Sequence, residues 1–304
     1  MSTRPRRLAP GDRVAVVAPA GPVDAARLDR GVAVLEAWGL RVDVGRHVLG
    51  RHPKLPYLAG GDADRAADLQ RAWCDPGVAA VICARGGYGC LRMVDLLDWD
   101  AMAAAGPKAL AGSSDVTTLH EAIRAHLGVV TLLSPMIAGD LFDPVAQDHL
   151  RRMLFEPERA LTLTGPAAAT LEHGTAEGVL VGGNLSLLVA GLAAPDAPPP
   201  PEGAIMVLED VTEPPYRLDR MITQLLRAGW FTAVSGIALG SWTGCGEPSD
   251  VYDVMADLLG SLGIPTIWEL GFGHCPCSPT IPLGAPARLD ADAGTLTLRQ
   301  PALS

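Results

Sequence analysis

Along the first half of the chain, short runs of consecutive apolar residues alternate with longer stretches in which apolar positions return every three or four residues. The runs Arg13 to Ala18, Val78 to Ala84, Ala109 to Gly112 and Val129 to Leu133 predict strands. The stretches Asp24 to Trp38, Asp62 to Trp73, Cys90 to Leu97 and Asp115 to Leu127 predict helices. In the last of them Val116, Leu119, Ile123 and Leu127 fall on one face. Strands that are apolar throughout, each followed by a helix, imply a parallel sheet covered on both faces. Ligands of such sheets sit beyond the C-terminal strand ends.

Near residues 157–178 the pattern gives way to Thr, Gly, Pro and Ala, which predicts a boundary close to residue 160 between domains of residues 1–160 and 161–304. The tract PDAPPPPEG at 195–203 reads as a stiff surface loop. Beyond the boundary, strands are predicted at Gly178 to Val181, Ala204 to Glu209, Gly236 to Gly240 and Thr266 to Leu270. Helices are predicted at Asn184 to Leu192, Tyr216 to Ala228 and Val251 to Leu262. The closing ARLDADAGTLTLR alternates around an Asp-Ala-Gly turn, as a hairpin would.

Composition narrows the function classes. With 304 residues, 48% hydrophobic and 19% charged, the chain can bury a sizeable core. A net charge of −10 and no basic run beyond Arg4 to Arg7 argue against nucleic acid as a partner. No stretch reaches the roughly 18–20 apolar residues of a membrane span, and Gly11 and Asp12 interrupt the N-terminal apolar run, so no signal peptide and a cytoplasmic location are expected. Six scattered cysteines suit a reducing compartment. Cys275 and Cys277 flank Pro276 beside His274, but a Cys-Pro-Cys spacing, even with Cys245, argues against zinc. Neither a metal nor a cofactor is expected.

Three segments could carry chemistry. KALAGSSDVTTLHEAI (108–123) turns from a strand through Gly112-Ser113-Ser114-Asp115 into a helix, where a serine either caps the helix or stands out as a nucleophile. AIMVLEDVTEPPYRLDRMITQ (204–224) ends its strand in Glu209 and Asp210, which either pair with Arg217 and Arg220 or orient another group. WELGFGHCPCSPTIPLG (268–284) holds His274 in a Gly- and Pro-rich loop after a strand. A fourth, AAVICARGGYGCLRMVDLLD (79–98), follows its strand with Arg-Gly-Gly-Tyr-Gly, either a tight turn or a backbone cradle for negative charge, without the P-loop order. Serine, acid and histidine each following a strand is the arrangement of a Ser-His-acid relay. The corner lacks the Gly-x-Ser-x-Gly elbow of α/β-hydrolases.

Taken together, APAGPV (18–23), ARGGYGCLRMVDLLD (84–98), GSSDVT (112–117), EGVLVGGNLSLL (177–188), LEDVTEPPYRLDRMITQL (208–225) and GFGHCPCSPTIPLG (271–284) resemble the LD-carboxypeptidase family of serine peptidases. That family includes muramoyltetrapeptide carboxypeptidases and microcin C immunity peptidases. The resemblance implies Ser114 as nucleophile, His274 as general base and Glu209 as the acid orienting it. It implies backbone N–H groups of Gly87 and Asp115 as the oxyanion hole. It further implies a flavodoxin-like α/β N-terminal domain, a smaller C-terminal α/β domain, an active site between them, and a homodimer. Two segments depart from the family pattern. Leu132-Leu133-Ser134-Pro135-Met136 stands where His-Gly-Pro is expected, and Cys-Pro-Cys-Ser-Pro where an asparagine often occurs.

The expected activity is release of terminal D-alanine from a murein tetrapeptide in peptidoglycan recycling, with a small peptide as the binding partner. Arg85 and Arg217 are candidates for the substrate carboxylate. The alternatives are an immunity-type peptidase acting on aminoacyl or peptidyl sulfamoyl-adenylates, and a ligand-binding protein without catalysis on the same scaffold. Trp230 and Trp242 read as core rather than as an adenine platform.

Overall fold

The computed structural model describes residues 2–304. The first half runs β1 (Arg13–Val17), α1 (Ala25–Ala37), β2 (Arg41–Val44), α2 (Asp62–Cys74), β3 (Val78–Cys83), α3 (Cys90–Met93), α4 (Trp99–Ala105), β4 (Ala109–Gly112), α5 (Thr117–His126), β5 (Thr131–Leu133) and α6 (Pro144–Phe155). The second continues as β6 (Thr162–Thr164), β7 (Ala169–Glu172), β8 (Thr175–Asn184), α7 (Leu185–Ala190), β9 (Ala204–Val211), α8 (Pro215–Arg227), β10 (Val234–Thr243), α9 (Pro248–Leu259), β11 (Thr266–Trp268), β12 (Ile281–Leu283), β13 (Pro286–Asp290) and β14 (Thr295–Leu298).

Two sheets result. The first has the order β12-β5-β4-β3-β1-β2 and is parallel except for β12, which gives β1 to β5 the flavodoxin-like arrangement. The second, in the order β6-β14-β13-β8-β9-β10-β11-β7, has a parallel centre from β8 to β11 and antiparallel flanks. The second sheet carries eight strands against six in the first. The hairpin is β13 and β14, paired antiparallel.

Elements absent from the sequence reading have weak or brief apolar patterns. β2 is an edge strand with three of its four residues exposed, all but Val42, and α4 buries only Met102. α6 has a legible start, since Asp143 caps it and Pro144 opens it, and a stripe of Ala146, Leu150, Met153 and Leu154. The predicted stripe holds for Leu119 and Ile123 on α5 and for Val116 in the turn before it, all without exposure, while Leu127, just past the helix, is half-buried. Each such side chain contributes about 1.5–3 kcal/mol by leaving water. The predicted helix 90–97 divides into α3 and a 3₁₀ turn at Val94–Leu96.

β12 is the larger surprise. Ile281-Pro282-Leu283 lies in the second half of the sequence but pairs antiparallel with Thr131 to Leu133 of the first sheet. Pro282 is tolerated because β12 is the edge of that sheet. The Pro- and Gly-rich flanks hide the strand from any periodicity test.

His120, on α5, ties the end of β4 to β5. Its Nε2 lies 2.9 Å from the Gly112 carbonyl, which can only accept, so Nε2 carries the proton and Nδ1 accepts from the Thr131 hydroxyl at 2.9 Å. Burial lowers its pKa from 6.5 to about 4, against the Gly112 hydrogen bond. His149 on α6, accepting from the Thr280 N–H, is likewise lowered to about 4 by burial. Both stay neutral in the fold while the unfolded chain takes up protons near pH 6.5. The stabilisation is complete above that pH and is lost as pH falls through 4, by roughly 3 kcal/mol for His120 at 1.4 kcal/mol per pH unit. Urea unfolding at pH 7, 5.5 and 4.5 should show this decline, and His120→Gln should lessen it, leaving the share that His149 supplies. An undiminished slope in the variant would assign the loss to other groups.

Candidate active site

The serine corner is built where β4 ends. Gly112 closes the strand, Ser113 is extended, and Ser114 enters the left-handed region at φ 57° before a 3₁₀ turn over Ser114–Val116 and then α5. A left-handed non-glycine residue costs about 1–2 kcal/mol, and such strain collects at functional sites. Ser113 is buried and makes no capping hydrogen bond, so the helix-cap reading of this serine is not realised. A side chain on Gly86 would come within 2.7 Å of the Ser114 Cβ and 3.0 Å of its Oγ, so the Arg-Gly-Gly-Tyr-Gly loop lies directly against Ser114. Met136, from the departing segment after β5, packs on the same spot.

The loop after β3 is held from two sides. The Gly21 N–H donates to the Gly86 carbonyl at 2.9 Å, and the Cys90 N–H donates to Asp115 Oδ2 at 2.7 Å. Gly87, at φ 110°, and Gly89, at φ 142°, take conformations that other residues rarely adopt. Asp115 has no exposure. Burial pushes its carboxyl above the ordinary range, against the Cys90 hydrogen bonds and the Arg65 charge. Its own N–H falls in the first turn, where backbone donors have no intrahelical partner.

Glu209 and His274 come together from β9 and from the loop between β11 and β12. Glu209 is fully buried, and its Oε2 sits 2.6 Å from His274 Nδ1 and 3.2 Å from the His274 N–H. A side chain at Gly273, φ 103°, would meet Glu209 Oε2 at 2.5 Å, so glycine permits the approach. Buried Ser278 fixes this loop by accepting from the Gly273 N–H at 2.9 Å. Burial alone would lower the His274 pKa. The Glu209 hydrogen bond and charge, with the Asp210 charge, outweigh it and raise the pKa above 6.5. The carboxylate fixes the proton of the neutral ring on Nδ1 and leaves Nε2 as an acceptor.

Sequence reasoning passed over Asn184. At the end of β8 its Nδ2 donates to Glu209 Oε1 at 3.2 Å and to Asp210 Oδ1 at 3.0 Å, while its Oδ1 caps α7 through Leu187 N. Its backbone N–H donates to the Thr117 hydroxyl at 3.0 Å, one turn after Ser114. Hydrogen bonds thus run from the serine helix through Asn184 to Glu209 and His274. The available signal was a capping residue at a strand end, the same placement that singled out the other three. Burial and the Glu209 charge push Asp210 up to about 6, against hydrogen bonds from Val211, Asn184 and Ser186.

The other candidates have other partners. Arg85 is exposed and donates to the Pro22 carbonyl; Arg217, half-exposed, pairs with Glu213 at 2.7 Å rather than with Glu209 or Asp210. Cys245 is buried near the Thr243 carbonyl, Cys275 faces the Gly271 carbonyl at 3.2 Å, and Cys277 is exposed. Among the described residues no group of three or more His, Cys, Asp or Glu side chains is placed to hold a metal ion. No helix among them is long and apolar enough to cross a membrane. Trp230 and Trp242 are buried in one apolar cluster with Leu208, Leu225 and Leu239.

Comparison with known proteins gives the same segments a context. Residues 14–134 match the LD-carboxypeptidase N-terminal domain and residues 177–289 the LD-carboxypeptidase C-terminal domain. A carboxypeptidase homologue from Streptomyces coelicolor is 56% identical over 99% of this chain and 97% of its own. The murein tetrapeptide carboxypeptidase of Pseudomonas aeruginosa is 32% identical over 92% of this chain and 94% of its own. In fold, the chain is similar to MccF solved with glutamyl sulfamoyl guanosine, with a TM-score of 0.87 and 22% identity over 99% of each chain.

The geometry around His274 makes a direct prediction. NMR titration should find its pKa above 6.5 in the wild type and lower in Glu209→Gln, where the Asp210 charge alone still opposes burial. Equal values in the two proteins would mean that Glu209 does not control this ring.

Proposed function

The chain belongs to the LD-carboxypeptidase family, and from that membership we propose that it is a serine carboxypeptidase releasing terminal D-alanine from a murein tetrapeptide. The observation that carries this reading is the 2.6 Å contact of buried Glu209 with His274 Nδ1, which prepares Nε2 to accept a proton. Ser114 Oγ attacks the carbonyl of the L-residue and passes its proton to His274 Nε2. Negative charge develops on the carbonyl oxygen, where the N–H groups of Gly87 and Asp115 stabilise it. His274⁺ then protonates the departing D-alanine amine, and water repeats the sequence to free the acyl-enzyme. Glu209 stays ionised and compensates the imidazolium.

On this reading the cleft lies between residues 1–160, which supply Ser114, and residues 161–304, which supply Glu209 and His274. Arg85 and Arg217 would reach the substrate carboxylate by leaving the Pro22 carbonyl and Glu213. The implied setting is recycling of wall peptides in the cytoplasm by a homodimer.

The test is mass-spectrometric. Purified protein incubated with a muropeptide tetrapeptide should release one alanine, Ser114→Ala should lower kcat by about 10⁴–10⁶, and Glu209→Gln by roughly 10⁴. Intact tetrapeptide after incubation with the wild type would remove the substrate assignment. Turnover of an aminoacyl sulfamoyl-adenylate in its place would favour the immunity-type activity, and binding without turnover a non-catalytic role.

A further inference from the structure

Arg65 belongs to no part of the mechanism above, yet its guanidinium has no exposure to solvent. Stripping a guanidinium of water is strongly unfavourable unless its donors are met. Arg65 meets most of them, with loop backbone and one carboxylate, while Nε stays buried without a partner. Nη1 donates to the Pro19 carbonyl and, at 2.8 Å, to the Gly89 carbonyl, while Nη2 pairs with Asp62. Asp62 is held in turn by Arg92 Nε and Nη2 at 3.0 and 2.7 Å. A side chain at Gly89 would meet Arg65 Nη1 at 2.7 Å, so the loop closes down on the guanidinium.

Pro19 and Gly89 lie in the loops leaving β1 and β3, adjacent strands of the first sheet. The loop leaving β3 is joined to the turn after β4 by the Cys90 N–H and the buried Asp115 carboxylate. Two charged side chains, Arg65 and Asp115, therefore lace together three neighbouring loops. Gly87 lies between the Gly86 carbonyl, held by Gly21, and the Gly89 carbonyl, held by Arg65. We infer that Arg65 is a positioning residue that fixes the Gly87 N–H relative to the Asp115 N–H, and so sets the width of the oxyanion hole. The inference rests on the functional reading above only in taking those two N–H groups as the oxyanion donors.

Arg65→Lys keeps the charge but replaces the planar fork, whose Nη1 spans the two carbonyls while Nη2 reaches Asp62, by one nitrogen on a shorter stem, and Asp62→Asn leaves Arg65 in place with a weakened anchor. The first assay needs no knowledge of the natural substrate. An alkyl fluorophosphonate phosphonylates an activated serine: the Ser114 Oγ–P bond forms, the P–F bond breaks, fluoride leaves and the serine proton passes to His274. Its phosphoryl oxygen needs the same two donors. The labelling rate should fall about 10²–10³-fold in Arg65→Lys, the loss typical of removing one oxyanion donor, and by less in Asp62→Asn, each at an unchanged His274 pKa. With tetrapeptide, kcat should fall in step while KM stays within about threefold.

Labelling at the wild-type rate in a folded Arg65→Lys protein would overturn the inference, as would a rise in KM at constant kcat. If Arg65→Lys fails to fold, Asp62→Asn decides by the same criteria. Tetrapeptide left intact by a wild type that is still labelled at Ser114 would count against the substrate and not against Arg65.

Discussion

The site depends on one buried carboxylate. Glu209 has no contact with solvent, and the effective penalty for taking an ion out of water is several kcal/mol even after relaxation. It is offset by three donors: the His274 ring, the His274 backbone and the Asn184 amide. The demands of that arrangement spread outward. Gly273 must lack a side chain so that the histidine loop can reach the carboxylate, Ser278 must hold that loop, and Asn184 must end β8 at the matching height. Asp210, sharing the same amide, is pushed up to about 6 by its burial first and by the neighbouring charge second.

The serine side is organised differently. Glu209 is held by donors to a charge, whereas Ser114 is held by backbone shape: a left-handed residue, glycines that admit close approach, and a buried histidine under the strand end. The strain at Ser114 persists because the Gly86 loop, the Gly112 carbonyl and the start of α5 together over-determine the turn. The two organisations meet at Thr117, whose hydroxyl accepts from Asn184. This places a neutral hydrogen bond, rather than an ion pair, between the serine helix and the acid.

Much of this was legible because strand ends carry their own signal. Ser114, Glu209 and His274 each follow an apolar run and precede small or turn-forming residues, and the first-half strands and helices show clean periodicity. Asn184 obeys the same rule but offers a side chain with no acid-base chemistry, so nothing in residue type drew attention to it. Arg65 was hidden by composition, since an arginine in an amphipathic helix reads as solvated until its exposure is known. β12 was hidden by its brevity and by Pro282, both permitted because its partner lies 150 residues earlier in the chain and supplies the context. Long-range pairing of this kind leaves no local pattern.

That pairing has a consequence for how the molecule is made. The first sheet contains the serine corner, but its outer strand is synthesised after every other strand of that sheet and after the loop bearing His274. Domains generally fold from the N-terminus as the ribosome delivers them. Here the N-terminal layer keeps β5 as a temporary edge until residues 281–283 have been synthesised. A nascent chain that stops short of residue 281 therefore carries its serine on a sheet whose outer strand is still missing.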